Sequence, residues 1–188
     1  MEKISEDRKK EIIEKSKIII NEKGFDKISI RDIVKSVDMA QGLVYYYFKN
    51  KEEIVKCIVD EYVDTLGDFL LKNINKISSK DINIREKIED FSQIVIDVYK
   101  NNCGPLKELD ETNNKVFYQK IVNSTIKKLA GNIEVAIKDA SQQGYIDVEY
   151  PKETTYMIIY GITNLIHNEK IEDKKVIASL IIQTLNIT

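Results

Sequence analysis

Glycine and proline are scarce in this sequence. Its 188 residues include 7 glycines and 2 prolines, and both residue types interrupt helices. Hydrophobic residues make up 43% of the chain and charged residues 32%, which is typical of a globular protein and excludes a disordered one. No alternation of apolar and polar residues is strong enough to predict a strand. We therefore expect an all-α fold built from long helices.

The chain also lacks a long apolar run. No stretch approaches the roughly 20 apolar residues that span a bilayer. Residues 1–20 begin with charged side chains and lack the uninterrupted apolar segment of a signal peptide. These absences lead us to expect a cytoplasmic protein.

Cysteine and histidine are equally rare. Cys57 and Cys103 do not have the spacing of metal ligands, and His167 is the only histidine. We expect reduced thiols and no metal site, with a redox-sensing cysteine pair as the less favoured alternative. The sequence has no nucleophile–base arrangement, no glycine-rich phosphate loop and no paired-carboxylate motif, so we expect neither an enzyme nor a bound cofactor.

Charge is distributed unevenly along the chain. The net charge is −2, but residues 1–51 contain 12 Lys and Arg against 9 Asp and Glu. Residues 52–188 contain 17 basic and 22 acidic side chains. Positive charge therefore lies in the N-terminal part, where contact with nucleic-acid phosphates would need it.

The N-terminal part has the pattern of three helices. The first, at 6–23, has an apolar stripe at helical spacing and ends at Gly24. Ser29 is then a predicted N-cap, with Asp32 three residues later as an Asp variant of the capping box. A break at Asp38–Met39 precedes a third helix at about 40–47. The stripe of the first helix consists of Ile12, Ile13, Ser16, Ile19 and Ile20.

The third predicted helix carries three consecutive tyrosines. Val44 and Phe48 are four residues apart, so both can face a core together. Tyr45, Tyr46 and Tyr47 cannot all pack inside so short a helix, and exposed phenols can donate hydrogen bonds to phosphate oxygens. The pattern predicts a helix-turn-helix, in which the second helix braces against the DNA backbone and the third enters the major groove.

The rest of the chain is predicted to be helix after helix. Helices are expected near 51–74, 83–101, 115–142, 152–168 and 172–186. A short, poorly defined segment after Gly104–Pro105 brings the total to about nine helices. We predict a helix-turn-helix domain at residues 1–51 and a larger helical ligand-binding and dimerisation domain at residues 52–188.

The N-terminal residues resemble the TetR family of bacterial regulators. The resemblance covers residues 10–58, and a weaker similarity lies at Gly144-Tyr-Ile and the linker that follows. It implies a DNA-binding N-terminal domain and a homodimer formed by the last two helices. The motifs that carry it are Ile12-Ile13, Gly24-Phe25, Ser29-Ile-Arg-Asp-Ile33 and Gln41-Gly-Leu-Val-Tyr-Tyr-Tyr-Phe-Lys-Asn-Lys51.

The resemblance implies several contacts with the DNA backbone. Ser29 at the start of the second helix and Tyr45 on the third would each contact a phosphate. Lys51 would pair with a phosphate near the N-terminal amides of the fourth helix. Arg31 would reach either a phosphate or the edge of a base.

The resemblance also implies contacts with the bases. Gln41 can bond adenine bidentately, and Leu43 can touch a thymine methyl group. Gly42 would allow a close approach of the backbone. Tyr46 and Tyr47 occupy positions that commonly face DNA in the family.

Two residues depart from the family's pattern. Asp38 stands where the family usually has glycine, which predicts a left-handed turn under some strain. Ala40 stands where Ser or Thr often caps the third helix, and the loss of a cap costs about 1 kcal/mol. Together they favour a recognition helix that orders fully only on DNA.

The larger domain is expected to hold a dimer contact and an effector cavity. For every residue assigned to either, a place in the intramolecular core is the alternative, and His167 fits a surface position as well. The implied dimer contacts are Tyr156, Ile159, Tyr160, Thr163, Ile177, Leu180, Ile181 and Thr184. The implied cavity residues are Phe91, Tyr99, Phe117, Tyr118, Tyr160, Asn164 and His167.

The sequence therefore predicts a DNA-binding transcriptional regulator, a repressor released from a palindromic operator by a small-molecule ligand. The alternative is a helix-turn-helix regulator whose large domain binds a protein partner or has no effector. Double-stranded DNA, a second copy of the chain and an unidentified small-molecule effector are the expected partners, without a membrane.

Overall fold

The fold is all-helical over the residues that the structure describes. This computed structural model describes residues 2–100, 104–106, 109 and 111–187. Within these ranges, the side chains of residues 2–5 and 111–113 are not described. Within those ranges there are eight α-helices, one 3₁₀ turn and no strand. The predicted all-α class is confirmed, and the number of helices is close to the predicted nine. Of the short segment predicted after Gly104–Pro105, residues 107, 108 and 110 lie outside the described residues, and residues 111–114 form the start of the sixth helix.

The helices follow one another with short connections. A 3₁₀ turn at Phe25–Lys27 separates the first two, and the fourth extends four residues beyond its predicted end. No helix in the described part of the chain is both long and apolar enough to cross a membrane. The helices are α1 Glu2–Lys23, α2 Ile30–Ser36, α3 Gln41–Tyr47, α4 Lys51–Ser78, α5 Ile84–Tyr99, α6 Glu111–Gln142, α7 Pro151–His167 and α8 Lys174–Thr184.

The chain divides into two compact units. The first consists of Met1–Asp64 with Glu108–Asn123, and the second of Thr65–Lys107 with Ser124–Thr188. Both α4 and α6 therefore contribute residues to each unit. The domain boundary that the sequence predicts between residues 51 and 52 stays a prediction.

The apolar stripe of α1 forms part of the core of the first unit. Ile12 and Ser16 are fully buried, and Ile20 is 1% exposed. Ile18, which lies off the stripe, is 52% exposed. Gly24 ends the helix with a φ of 86°, a left-handed conformation that glycine adopts without a steric cost.

A complete capping box begins α2, as the sequence predicts. The Asp32 backbone N–H donates to Ser29 Oγ at 3.3 Å, and the Ser29 backbone N–H donates to Asp32 Oδ2 at 2.9 Å. Two of the N–H groups that a helix start leaves unpaired are thereby satisfied.

The turn between α2 and α3 differs from the prediction. Asp38 does not have a positive φ, so the expected left-handed strain at this residue is wrong. The chain is extended at Val37, with φ −97° and ψ 139°, and again at Ala40, with φ −60° and ψ 135°. Two extended residues redirect the chain between the helices, so that glycine is not required. Ala40 makes no side-chain cap, as expected.

The second unit packs α5 against α7 and α8. Its core cluster contains Ile96 of α5, Ile166 of α7 and Ile177 of α8, each no more than 4% exposed. Ion pairs in the same unit join Lys100 to Glu172 and Lys80 to Asp90. The closing helices thus have an inner face committed to the core.

Replacing the α2 cap should lower stability. Ser29→Ala removes the side-chain oxygen that accepts from the Asp32 N–H and leaves only the Ser29 carbonyl, so we expect a loss of about 1 kcal/mol in the free energy of unfolding. Ser29→Thr keeps the hydroxyl and should keep most of the stability. Urea unfolding followed by circular dichroism measures both, and equal stability of Ser29→Ala and wild type would contradict the capping role.

The capping box also predicts a pH dependence. The hydroxyl and backbone N–H of Ser29 hold the pKa of Asp32 below its ordinary value of 3.8. Its stabilising contribution is therefore complete above pH 3.8 and is lost as the pH falls through the lowered pKa. The stability difference between wild type and Ser29→Ala should narrow over that acidic range.

Candidate DNA-binding surface

The outer face of α3 is exposed beside a buried inner face. Val44 is fully buried and Phe48, directly after the helix, is 2% exposed. Tyr45 and Tyr46 are 37% and 78% exposed, and the ring of Tyr46 meets that of Tyr47 edge-on at 5.2 Å. Successive residues on a helix point about 100° apart, so burying Val44 and Phe48 turns Tyr45 and Tyr46 outward and leaves Tyr47 half-buried.

The other predicted base-contacting residues lie on the same helix. Gln41 and Gly42 are exposed at its N-terminal end, whereas Leu43 and Tyr47 are half-buried. The structure therefore brings Gln41, Gly42, Tyr45 and Tyr46 to solvent on one short helix. Their contacts with DNA remain predictions.

Ser29 and Arg31 lie at the start of α2. Arg31 is exposed, and the Ser29 hydroxyl donates a hydrogen bond to Asp32 Oδ2 at 2.6 Å. Because that hydroxyl is also the helix cap, Ser29 has a structural role as well as its predicted contact with a phosphate.

Lys51 is half-buried and bonds to the protein backbone. Its ammonium donates to the backbone carbonyl of Phe25 at 3.3 Å and to that of Ile28 at 3.1 Å. It also lies 4.6 Å from the centroid of the Phe25 ring, within the range of a cation–π interaction. Lys51, which is predicted to contact a DNA phosphate, therefore also joins the start of α4 to the segment between α1 and α2.

Two α6 residues that belong to the first unit also contact Phe25. Asn114 Oδ1 accepts a hydrogen bond from the Phe25 N–H at 2.9 Å, and the Phe117 ring stacks on the Phe25 ring at 5.6 Å. Phe117 also meets Tyr62 edge-on at 6.4 Å. The sequence does not predict this contact, because Asn114 lies 89 positions after Phe25 and no local pattern links the two residues.

A second polar tie connects α1 with α4. Lys17 Nζ lies 2.6 Å from Glu61 and 2.9 Å from Glu14. Burial acts to lower the pKa of Lys17, but the two carboxylates outweigh burial and raise it. The Lys17 ammonium therefore remains charged through the neutral range, as a bridge between the helices.

The predicted cavity residues are divided between the two units. Phe117 and Tyr118, each 1% exposed, lie in the first unit. In the second unit Tyr99 and His167 are together, with ring centroids 6.2 Å apart. Burial raises the pKa of Tyr99 to about 12, although a hydrogen bond with Thr163 opposes the rise. An effector-binding role for these residues remains a prediction.

The remaining predicted cavity residues are less buried. Phe91 is half-buried, and Asn164 is exposed and accepts a hydrogen bond from Asn168 Nδ2 at 2.7 Å. Tyr160 is 40% exposed and stacks on Tyr156.

The predicted dimer residues fall on two faces. Ile177 is fully buried, and Ile181 packs against the same core cluster. Tyr160 and Leu180 are 40% and 39% exposed. Some of the predicted dimer residues therefore belong to the core, and others remain available to a partner.

The structure describes one of the two cysteines. Cys57 has a free thiol and is half-buried in α4. Cys103 lies outside the described residues, so the redox alternative remains a hypothesis. The described residues contain no cluster of His, Cys, Asp or Glu that could hold a metal ion.

These features define a helix-turn-helix protein, and comparison with known families identifies which kind. The model for bacterial regulatory proteins of the tetR family matches residues 12–58. A model for a tetracyclin repressor-like C-terminal domain matches residues 97–183. The chain belongs to the TetR family of transcriptional regulators, as the motif in its N-terminal part predicted. The family consists of regulators, in agreement with the expectation that this chain is not an enzyme.

Two individual relatives match part of this chain. The chain is 25% identical over 140 residues to the probable HTH-type transcriptional regulator YttP of Bacillus subtilis. That match covers 72% of this chain and 65% of YttP. It is 38% identical over 65 residues to IcaR of Staphylococcus epidermidis, the HTH-type negative transcriptional regulator of the biofilm operon icaADBC. That match covers 35% of each protein. The chain thus spans less than two thirds of the length of these two relatives.

Solved structures show the same fold. The crystal structure of RolR in complex with its ligand resorcinol matches with a TM-score of 0.66 at 14% identity, over 100% of this chain and 92% of RolR. At so low an identity the similarity defines the fold alone.

Removing the Lys51 ammonium should destabilise the first unit. Lys51→Met keeps the length of the side chain but leaves two partly buried carbonyls without their donor, and we expect a loss of about 1–2 kcal/mol in unfolding free energy. Lys49→Met, at an exposed position two residues earlier, is the matched control and should change stability little. Equal urea midpoints for the two variants would contradict a structural role for Lys51.

Proposed function

We propose that this protein is a homodimeric repressor that binds a palindromic operator in cytoplasmic DNA and leaves it when a small-molecule effector binds. The observation that carries the proposal is the two-sided α3, with Val44 and Phe48 buried and Tyr45 and Tyr46 exposed. A short helix with a polar and aromatic outer face suits insertion into a major groove.

The charge distribution supports the same function. The excess of basic side chains is confined to residues 1–51, whereas the remainder of the chain is acidic. Attraction to phosphate would therefore favour the α2–α3 surface over the rest of the molecule, and binding should weaken steeply as salt is raised.

Two related proteins support the proposed role as a repressor and its regulation by a small-molecule effector. IcaR is a negative transcriptional regulator, and RolR binds resorcinol as a ligand. For this chain we infer an effector site in the second unit near Tyr99 and His167, two predicted cavity residues whose ring centroids lie 6.2 Å apart. Tyr99, Thr163 and His167 could supply the few polar groups that orient a ligand in an apolar site.

The exposed faces of α7 and α8 support the homodimer. Met157 and Tyr160 are 60% and 40% exposed on α7, and Val176 and Leu180 are 45% and 39% exposed on α8. On each helix the two residues are three or four positions apart, so they share a face. A two-fold dimer built on these faces would present two α3 helices to two half-sites of a palindrome.

The phosphate contact of Tyr45 is tested with a duplex that the wild-type protein selects from a random DNA library. A bound dimer carries two Tyr45 side chains, so Tyr45→Phe removes two hydrogen-bond donors, and at about 1 kcal/mol each we expect an affinity roughly thirtyfold lower. Tyr150→Phe, at an exposed tyrosine outside the helix-turn-helix, should bind like wild type. Fluorescence anisotropy measures both, and unchanged binding by Tyr45→Phe would remove this contact from the proposal.

The proposed dimer contact is tested at Leu180. Leu180→Glu would bury an unpaired carboxylate in the interface, and we expect the dimer dissociation constant to rise about a hundredfold. Ile18→Glu, at an exposed apolar residue of α1, is the control and should leave the dimer intact. Sedimentation equilibrium gives the constants, and a Leu180→Glu protein that remains as dimeric as the control would contradict this interface.

A further inference from the structure

Phe25 is held from several sides. Its N–H donates to Asn114 Oδ1, its ring stacks on Phe117, and its carbonyl accepts from Lys51. The Lys51 ammonium also lies over the Phe25 ring. One residue between α1 and α2 is thus fixed by α4 and by the start of α6, all within the first unit.

Asn114 is unusual within α6. It is 2% exposed, and its backbone leaves the helical region at φ −129° and ψ 29°. The helix is kinked there, and the side-chain oxygen of the kinked residue is the acceptor for the Phe25 N–H. Gly24 has just ended α1, so the Phe25 N–H no longer has a partner from that helix.

The segment held by these contacts leads directly into the helix-turn-helix. Only three residues lie between Phe25 and Ser29, the N-cap of α2, and the carbonyl of one of them, Ile28, also accepts from Lys51. Ile33 of α2 and Val44 of α3 are both fully buried, and a turn of only four residues connects the two helices. A shift in the start of α2 is therefore passed on to α3 through this short turn. Fixing Phe25 therefore fixes where α2 begins.

From this geometry we infer that Asn114 is a positioning residue for operator recognition. Its hydrogen bond to the Phe25 N–H sets the start of α2 and, through the four-residue turn that follows α2, the placement of α3. The inference rests on the proposed DNA-binding function. It assigns a specificity role to a residue on α6, which is distant in sequence from the helix-turn-helix.

The test compares specific with non-specific DNA binding by the full chain. The two probes are the duplex selected by wild type and a scrambled duplex of the same length and composition. Asn114→Leu keeps the branched shape of the side chain but removes the acceptor, and it should reduce the ratio of the two affinities roughly tenfold, because a displaced α3 weakens its contacts with the bases. Affinity for the scrambled duplex should stay within about twofold of wild type, because phosphate attraction is unchanged.

Two further variants separate positioning from folding. Asn114→Asp retains an acceptor and should keep most of the specificity ratio. Ile121→Ala, at a fully buried residue of α6 in the same unit, should lower the melting temperature while leaving the ratio near the wild-type value. If Asn114→Leu does not fold, Asn114→Ala replaces it with the same expectation.

Amide hydrogen exchange at Phe25, measured by NMR, reports the hydrogen bond itself. Its exchange should accelerate in Asn114→Leu and remain slow in Ile121→Ala. The inference is overturned if Phe25 loses protection while the specificity ratio is unchanged, or if Ile121→Ala lowers the ratio as much as Asn114→Leu does. If wild type selects no duplex at all, the proposed function fails and this inference fails with it.

Discussion

The burial of Val44 and Phe48 is the constraint on which the DNA-binding surface depends. The helix that carries the surface, α3, has seven residues and no side-chain cap. Isolated helices shorter than about 12 residues are marginal in water, so packing must hold this one. Burying two large apolar side chains contributes about 2 kcal/mol each, which exceeds the roughly 1 kcal/mol lost with the cap. The same burial fixes the rotation of α3 and therefore which tyrosines face solvent.

Local patterns predicted the features that depend on near neighbours in sequence. The capping box at Ser29 and Asp32, the buried stripe of α1 and the missing cap at Ala40 all follow from residues within one or two helical turns. The prediction at Asp38 failed because it was carried over from glycine in the family. The extended backbone at Val37 and Ala40 redirects the chain without a left-handed residue.

Contacts between distant residues could not be read from the sequence. Lys51 matches a phosphate-binding motif, but nothing local shows that two carbonyls more than 20 residues earlier accept from its ammonium. Phe117 has the character of a cavity aromatic, and only the fold places it against Phe25 in the first unit. Asn114 carries no motif, since its role comes from a helix kink and from a partner 89 residues away.

The structural contacts of Lys51 and its predicted contact with DNA are compatible. An ammonium has three donors, and the carbonyls of Phe25 and Ile28 account for two, which leaves one for a phosphate oxygen. A side chain already fixed by two hydrogen bonds loses less conformational freedom when it meets a phosphate than a free lysine would. The contacts that join α4 to the start of α2 would then also preorganise the surface that the proposed operator meets.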